Sequence, residues 1–237
     1  MSESDFIREV DEEMRNEQLR KLWDRFGPFV IGFALLIVLG TAANKGYEYW
    51  RVSQAAKSGD AFIEALALSD DGKQDEALAA LESLKTQGSG GYPVLAEMRI
   101  AAEKAAGGQV DEAISLYENV AGNAKNDVVI QDLARIRANV LMLDQGRADD
   151  VILQLSGQMD DHGFRHSARE LVLLAHMEKK AFDQALPIAD RVVNDAETPA
   201  QLRQRAEVYA NYIRSKVASD VADDKAASDA GAKEAGQ

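Results

Sequence analysis

The sequence predicts an all-α protein: one N-terminal helix able to span a bilayer, then an α-solenoid of about four degenerate helix pairs with a C-terminal capping helix. Three observations lead there. Phe26 to Asn44 is an uninterrupted run of 19 uncharged residues. A short phrase recurs four times after it, at intervals set by helix pairs. Only four prolines interrupt a chain rich in Ala, Leu, Glu and Gln, the residues that favour helix.

The apolar run comes first. As a helix, 19 residues rise roughly 28 Å, close to the hydrocarbon thickness of a bilayer. Trp23 precedes the run, Phe26 opens it, and Tyr47, Tyr49 and Trp50 follow it. Aromatic residues in such flanks anchor a span at the two headgroup layers. Pro28 falls near the start of the run, where its missing N–H is tolerated. A transmembrane helix is therefore expected at 26–46. A buried core helix rarely holds so long an uncharged stretch between aromatic flanks. A cleaved signal is the stronger rival, because Gly40-Thr41-Ala42 offers a small-x-small site. Yet the 25 preceding residues carry eight acids against five bases, unlike the short basic leader of a signal peptide.

Orientation rests on basic residues near the span. Arg15, Arg20, Lys21 and Arg25 lie before it, and Lys45, Arg51 and Lys57 after it. This slight bias places the N-terminus in the cytoplasm. Residues 1–25 form a juxtamembrane segment with apolar side chains at helical spacing, Phe6, Val10 and Met14, then Leu19, Leu22, Trp23 and Phe26. The segment reads as a surface-lying helix or as a cytoplasmic docking element.

Residues 47–218 carry the repeats. GKQDEALAAL (72–81), GQVDEAISLY (108–117), GRADDVILQL (146–155) and KAFDQALPIA (180–189) align on Asp75, Asp111, Asp149 and Asp183. Intervals in the mid-thirties are those of helix–turn–helix repeats. Gly72, Gly108 and Gly146 supply a permissive backbone at the turn, while Lys180 stands where the fourth glycine is expected. The acids occupy the first turn of the second helix, where the helix dipole favours negative charge. Ala77, Ala113 and Ala185 are small enough to let paired helices approach. First helices are expected at about 54–70, 92–106, 128–144 and 166–179. The stretch 199–218, with a stripe of Leu202, Ala206, Tyr209, Tyr212 and Ile213, reads as the end piece a solenoid needs. The tail 219–237 has little to bury and is expected to be disordered.

The phrases GKQDEAL and GQVDEAI resemble the second-helix signature of tetratricopeptide repeats, so the pairs are expected to be TPR-like. The whole order (acidic leader, LRKLWDRFGPF, one span, YEYWR, then divergent repeats) resembles the bacterial ancillary subunit of the SecYEG translocon. That resemblance implies a single-pass inner-membrane protein whose C-terminal domain is periplasmic. It also implies association with the Sec translocon, with periplasmic chaperones and with exported clients as they emerge. The alternatives are a membrane-tethered regulatory sensor, acting through its cytoplasmic segment, and an envelope-assembly scaffold.

Several chemistries find little support. The net charge of −13 argues against nucleic acid, whose binding needs clustered Lys and Arg. With no cysteine, thiolate metal sites, disulfides and Cys nucleophiles are excluded. His162 and His166 in DDHGFRH have the four-residue spacing of a helical metal pair, but Gly163 between them points to a solvated loop. His176 lies in an apolar helix and reads as a packed residue. GSGG at 88–91 lacks the lysine of a phosphate-binding loop. No catalytic residue, cofactor, metal or small-molecule substrate is expected, and no enzyme. The candidate functional surface is a groove lined by Leu95, Met98, Leu133, Ile136, Val140, Leu174 and Met177, which holds a protein segment or is covered by 199–218.

Overall fold

The computed structural model describes residues 3–160 and 163–234, with side chains described for 25–26, 28–29, 31–160 and 163–219. The described residues form helices, joined by short turns and one 3₁₀ turn. They divide into two compact units, residues 1–58 and 59–237.

The described residues of the first unit lie within α1, Glu3–Asp70. The sequence predicts separate helices over 26–46 and 54–70. Instead α1 runs unbroken through both and on to the first repeat turn. The physical reason is the lack of a stop: neither Gly40 nor Gly46 adopts a left-handed backbone, and the next left-handed residue is Gly72. Pro28 therefore sits inside α1 rather than in a first turn, and gives up one interior hydrogen bond. Phe29, Phe33, Leu36 and Leu39 are all more than 60% exposed, as are Tyr47 and Tyr49. Among the described residues, no helix is long and apolar enough to cross a membrane. The uncharged run includes Gly27 and Val30, which fall outside the set of residues whose burial is described, as do residues 1–24, Trp23 among them.

The second unit is the repeat array. It comprises the end of α1 from Gly59, α2 (Gln74–Gln87), α3 (Tyr92–Ala106), α4 (Val110–Gly122), α5 (Val128–Asp144), α6 (Ala148–Leu155), α7 (Arg165–Glu178), α8 (Phe182–Asn194) and α9 (Ala200–Glu234). From α2 onward each helix packs on its chain neighbours, while α5 also meets α7 and α7 meets α9. That is the nearest-neighbour pattern of a solenoid of helix pairs.

One turn, used four times, builds the array. Gly72, Gly108, Gly146 and Lys180 take φ of 77°, 83°, 74° and 57°. At each, the left-handed residue donates to the carbonyl three back, as Gly72 N–H does to Ser69. The next residue donates to the carbonyl five back, as Lys73 N–H does to Leu68. The same pair of bonds recurs at 108–109, 146–147 and 180–181. This is the Schellman ending of a helix, and it satisfies carbonyls that would otherwise lack partners. Each following helix lacks a side-chain N-cap and carries acid in its first turn instead: Asp75 and Glu76, Asp111 and Glu112, Asp149 and Asp150, then Asp183.

Two residues later come Ala77, Ala113, Val151 and Ala185, all wholly buried. Three of these are the predicted small residues; Val151 fills the same position in the third pair. Leu81 and Ile100 pack with Ala65 and Ala96 in one core. Ile114, Val120, Met142, Leu155 and Val172 form a larger one around α4 to α7. Burying each such aliphatic side chain contributes roughly 1.5–3 kcal/mol. Leu173, Ala185, Ala210 and Ile213 join α7, α8 and α9, so residues of the predicted cap stripe close the end of the array. Helix α9 continues to Glu234, beyond the predicted end at 218. The side chains past 219 lie outside the described set, and the expectation of disorder at 219–237 falls on that stretch.

Candidate functional site

The candidate surface is built by the first helix of each pair, α3, α5 and α7 with the end of α1. The turn residue sets the phase of each helix, because it ends the helix in the same way every time. Leu95 stands thirteen residues before Gly108, and Leu133 thirteen before Gly146; Val140 stands six before Gly146, and Leu174 six before Lys180. All four keep part of their surface accessible, Leu95 and Val140 most. Met98 and Ile136, each ten before their turn, lie about 60° round the helix from the residues at thirteen and pack with the α4–α7 core. Met177 packs against the α7–α9 core. The seven residues thus divide into four that line a common face and three that lean on the cores behind it. Helix α9 packs against α8 and α7 at the end of the array.

At one end of this face lies a cleft of about 450 Å³. Its apolar wall is Pro93, Val94, Leu95 and Ile130, and its polar wall includes Lys85, Lys125 and Asp127. Gly90 and Gly91, from the GSGG loop, complete it. Gly90 is left-handed at φ 68°, which lets the loop turn into α3 with Pro93 in the first turn. Opposite, Asp127 caps α5 by accepting from Val129 N–H at 2.8 Å, and Asn126 Nδ2 donates to Val120 O at 2.9 Å. Of the cleft, only Leu95 belongs to the predicted set. Pro93 opening a helix after a glycine loop is the sequence signal that marks the others.

Charged groups on the face are tied down unequally. Arg99 Nε donates to Glu103 at 2.7 Å and its Nη2 donates to Ser69 Oγ at 2.9 Å, while Ser69 donates to the same Glu103 carboxylate. This couples the end of α1 to α3. On α5, Arg135 pairs with Asp132 at 3.0 Å. Arg137 is exposed, and no ion pair to it occurs among the described residues. Burial pushes the Tyr117 phenol up, opposed by the nearby Arg137 and Arg99 guanidinium groups. Behind the face, wholly buried Asn139 donates to Arg135 O and to Gln154 Oε1.

Of the histidines, His166 and His176 stand at opposite ends of α7. His162 lies outside the described residues. His166 opens α7 and contacts Thr198 Oγ1 through Nδ1 at 3.3 Å. Burial, with Arg165 next, holds its pKa below the ordinary value. His176 is buried at the end of α7, and burial, then Lys179, lowers its pKa against the opposing Asp183. Among the described residues, no group of three or more His, Asp or Glu is arranged to hold a metal ion. The polar cluster near His166 is structural: buried Arg169 donates to Met159 O at 2.6 Å and to Asp195, and Arg203 donates to the carbonyls of Asp195, Ala196 and Thr198. Together they fasten the α8–α9 connection. The sequence reading passed over them because nothing local marks an arginine that binds a connector some 26 residues away.

Among the anchor residues, Phe26, Tyr47, Tyr49 and Trp50 are exposed on α1. The Tyr47 and Trp50 rings lie 6.0 Å apart, tilted by 33°, and Lys45 pairs with Glu48 at 2.7 Å. In the comparisons with known proteins, the family described as tetratricopeptide repeat-like domain matches residues 20–187. A search of the curated proteins finds no match.

Proposed function

Because the chain belongs to the tetratricopeptide repeat-like family, we propose that it is a membrane-anchored protein-interaction scaffold, not an enzyme, and an ancillary subunit of the Sec translocon. The observation that carries the scaffold reading is the accessible first-helix face, where Leu95, Leu133, Val140 and Leu174 recur at fixed distances from their turns. Repeating apolar positions on neighbouring helices suit a protein segment better than a small molecule.

The anchor reading is supported by the 19 uncharged residues and by the exposed Phe29, Phe33 and Leu36 of α1. So large an exposed apolar surface calls for lipid or a partner. In this reading the N-terminus is cytoplasmic, and the repeats work in the periplasm on chaperones or emerging exported chains. Tethering raises the local concentration of the second contact, so weak binding by the repeats suffices. A photo-crosslinker in place of Phe29, followed by mass spectrometry, tests the assignment. Recovery of translocon subunits is expected; recovery of cytoplasmic regulators alone would refute it.

A further inference from the structure

Arg99 stands nine residues before Gly108, and Arg137 nine before Gly146. The two arginines therefore occupy the same position in successive repeats. That position lies between the partly accessible residues at thirteen and six: Leu95, Arg99 and Ala102 on α3; Leu133, Arg137 and Val140 on α5. Ile63 fills it in the first pair and is exposed, while Leu171 fills it in the fourth and is buried. Only the two central pairs present a guanidinium there.

The two guanidiniums are not equivalent. Arg99 is neutralised by Glu103 and held by Ser69. Arg137 is exposed with no ion pair among the described residues, in a chain of net charge −13 where acids are plentiful. Both guanidinium groups oppose the effect of burial on the Tyr117 phenol, Arg137 more than the already paired Arg99. The α5 stripe continues from Arg137 through Leu133 to Ile130, which lines the 450 Å³ cleft together with Leu95. Seven residues of helix separate Ile130 from Arg137, about 10 Å along the axis. An extended peptide covers that distance in about three residues.

Building on the scaffold reading, we propose that this face binds an extended protein segment bearing an apolar side chain and, about three residues away, a carboxylate. The apolar side chain enters the cleft between Leu95 and Ile130, and the carboxylate pairs with Arg137. Arg99, already paired, holds α1 and α3 in place beside it. A guanidinium offers two parallel donors to a carboxylate, which specifies the acid as well as attracting it. Repulsion from distant acids of this chain is screened beyond about 10 Å at ordinary salt, so Arg137, with Lys85 and Lys125 of the cleft, acts against the nearby Glu97 and Asp127 alone.

The test uses the full chain in detergent and end-blocked fluorescent peptides titrated to millimolar by anisotropy. The probes are GSGLSGEGS, the Gln version GSGLSGQGS and the Ser version GSGSSGEGS. The Glu peptide is expected to bind roughly tenfold more tightly than either relative. Arg137→Gln should lower the Glu peptide to the affinity of the Gln peptide and leave the Gln peptide unchanged. Arg137→Glu should favour a Lys version of the probe, a reversal that misfolding would not produce. Equal binding of the Glu and Gln peptides would overturn acid recognition while leaving the scaffold reading intact. Binding of none would overturn the site. Binding that emerges only after Asp223→Asn and Asp224→Asn would assign the face to the chain's own tail. A change in oligomeric state alone on Arg137→Gln would assign it to a second copy.

Discussion

Lys180→Gly should stabilise the repeat array. At the other three turns the left-handed residue is glycine, which adopts that backbone without steric cost. Lys180 adopts it at φ 57° with a Cβ present. A left-handed L-residue costs roughly 1–2 kcal/mol. Glycine returns part of that gain, about 0.5–1 kcal/mol, through the greater freedom of the unfolded chain. The side chain is exposed, and both turn hydrogen bonds use only the backbone, so the substitution leaves them intact. The net expectation is a gain of about 0.5–1 kcal/mol. The reciprocal change, Gly108→Ala, should cost about 1 kcal/mol, and the cost is one of backbone conformation, because an added Cβ meets no atom within 4 Å. Urea unfolding of both variants measures the pair, and amide exchange across α7 and α8 localises the effect in an array whose stability is a sum over neighbours. A Lys180→Gly protein no more stable than the parent, beside a Gly108→Ala protein that loses the expected amount, would refute the assignment of strain to Lys180.

Other substitutions probe other layers of the structure. Ala113→Leu should cost about 1–3 kcal/mol by overpacking the wholly buried α3–α4 contact, read as a shift in urea midpoint with an unchanged slope. Ile100→Ala should cost roughly 2–5 kcal/mol by opening a cavity between α2 and α3. His176 has its folded pKa below the ordinary value of about 6.5, so unfolding takes up a proton as pH falls. Stability contributed by this group is therefore present above about pH 6.5 and is lost as pH drops through the lowered folded value; His176→Gln should flatten that part of a pH–stability curve. In the proposed span, Leu36→Arg should oppose insertion by roughly 3 kcal/mol, and resistance to alkaline extraction from membranes should fall.

The turns were legible in the sequence because their determinants are local. A glycine, an acid three residues on and a small residue two beyond that suffice to end one helix and start the next. They set helix boundaries within a residue or two at 92–106, 128–144 and 166–179. Even where Lys180 replaces glycine, the same hydrogen bonds form, so the surrounding pattern outweighs the unfavourable residue. The extent of α1 was less legible. The expected helices at 26–46 and 54–70 leave a gap, but the residues between them do not terminate a helix, and α1 runs on to the first left-handed glycine.

The candidate face was only half legible, for a geometric reason. On α3 and α5, positions thirteen, nine and six before the turn keep part of their surface accessible, while position ten, only about 40–60° away round the helix, leans toward the core; on α7 position nine, Leu171, is buried as well. Leu95 and Val140 belong to the outward set; Met98, Ile136 and Met177 belong to the inward one. Both sets are apolar and spaced by three or four, so hydrophobic periodicity alone cannot separate them. The turn residues provide the missing reference, because each fixes the end of its helix and hence the direction of every earlier side chain. Counted from that reference, the informative residues of the face are not its hydrophobic ones. An apolar side chain at these positions serves the core or a ligand equally well, whereas an exposed arginine such as Arg137 contributes nothing to packing. A polar residue repeated at an outward position is therefore the sharper sign of what the face recognises.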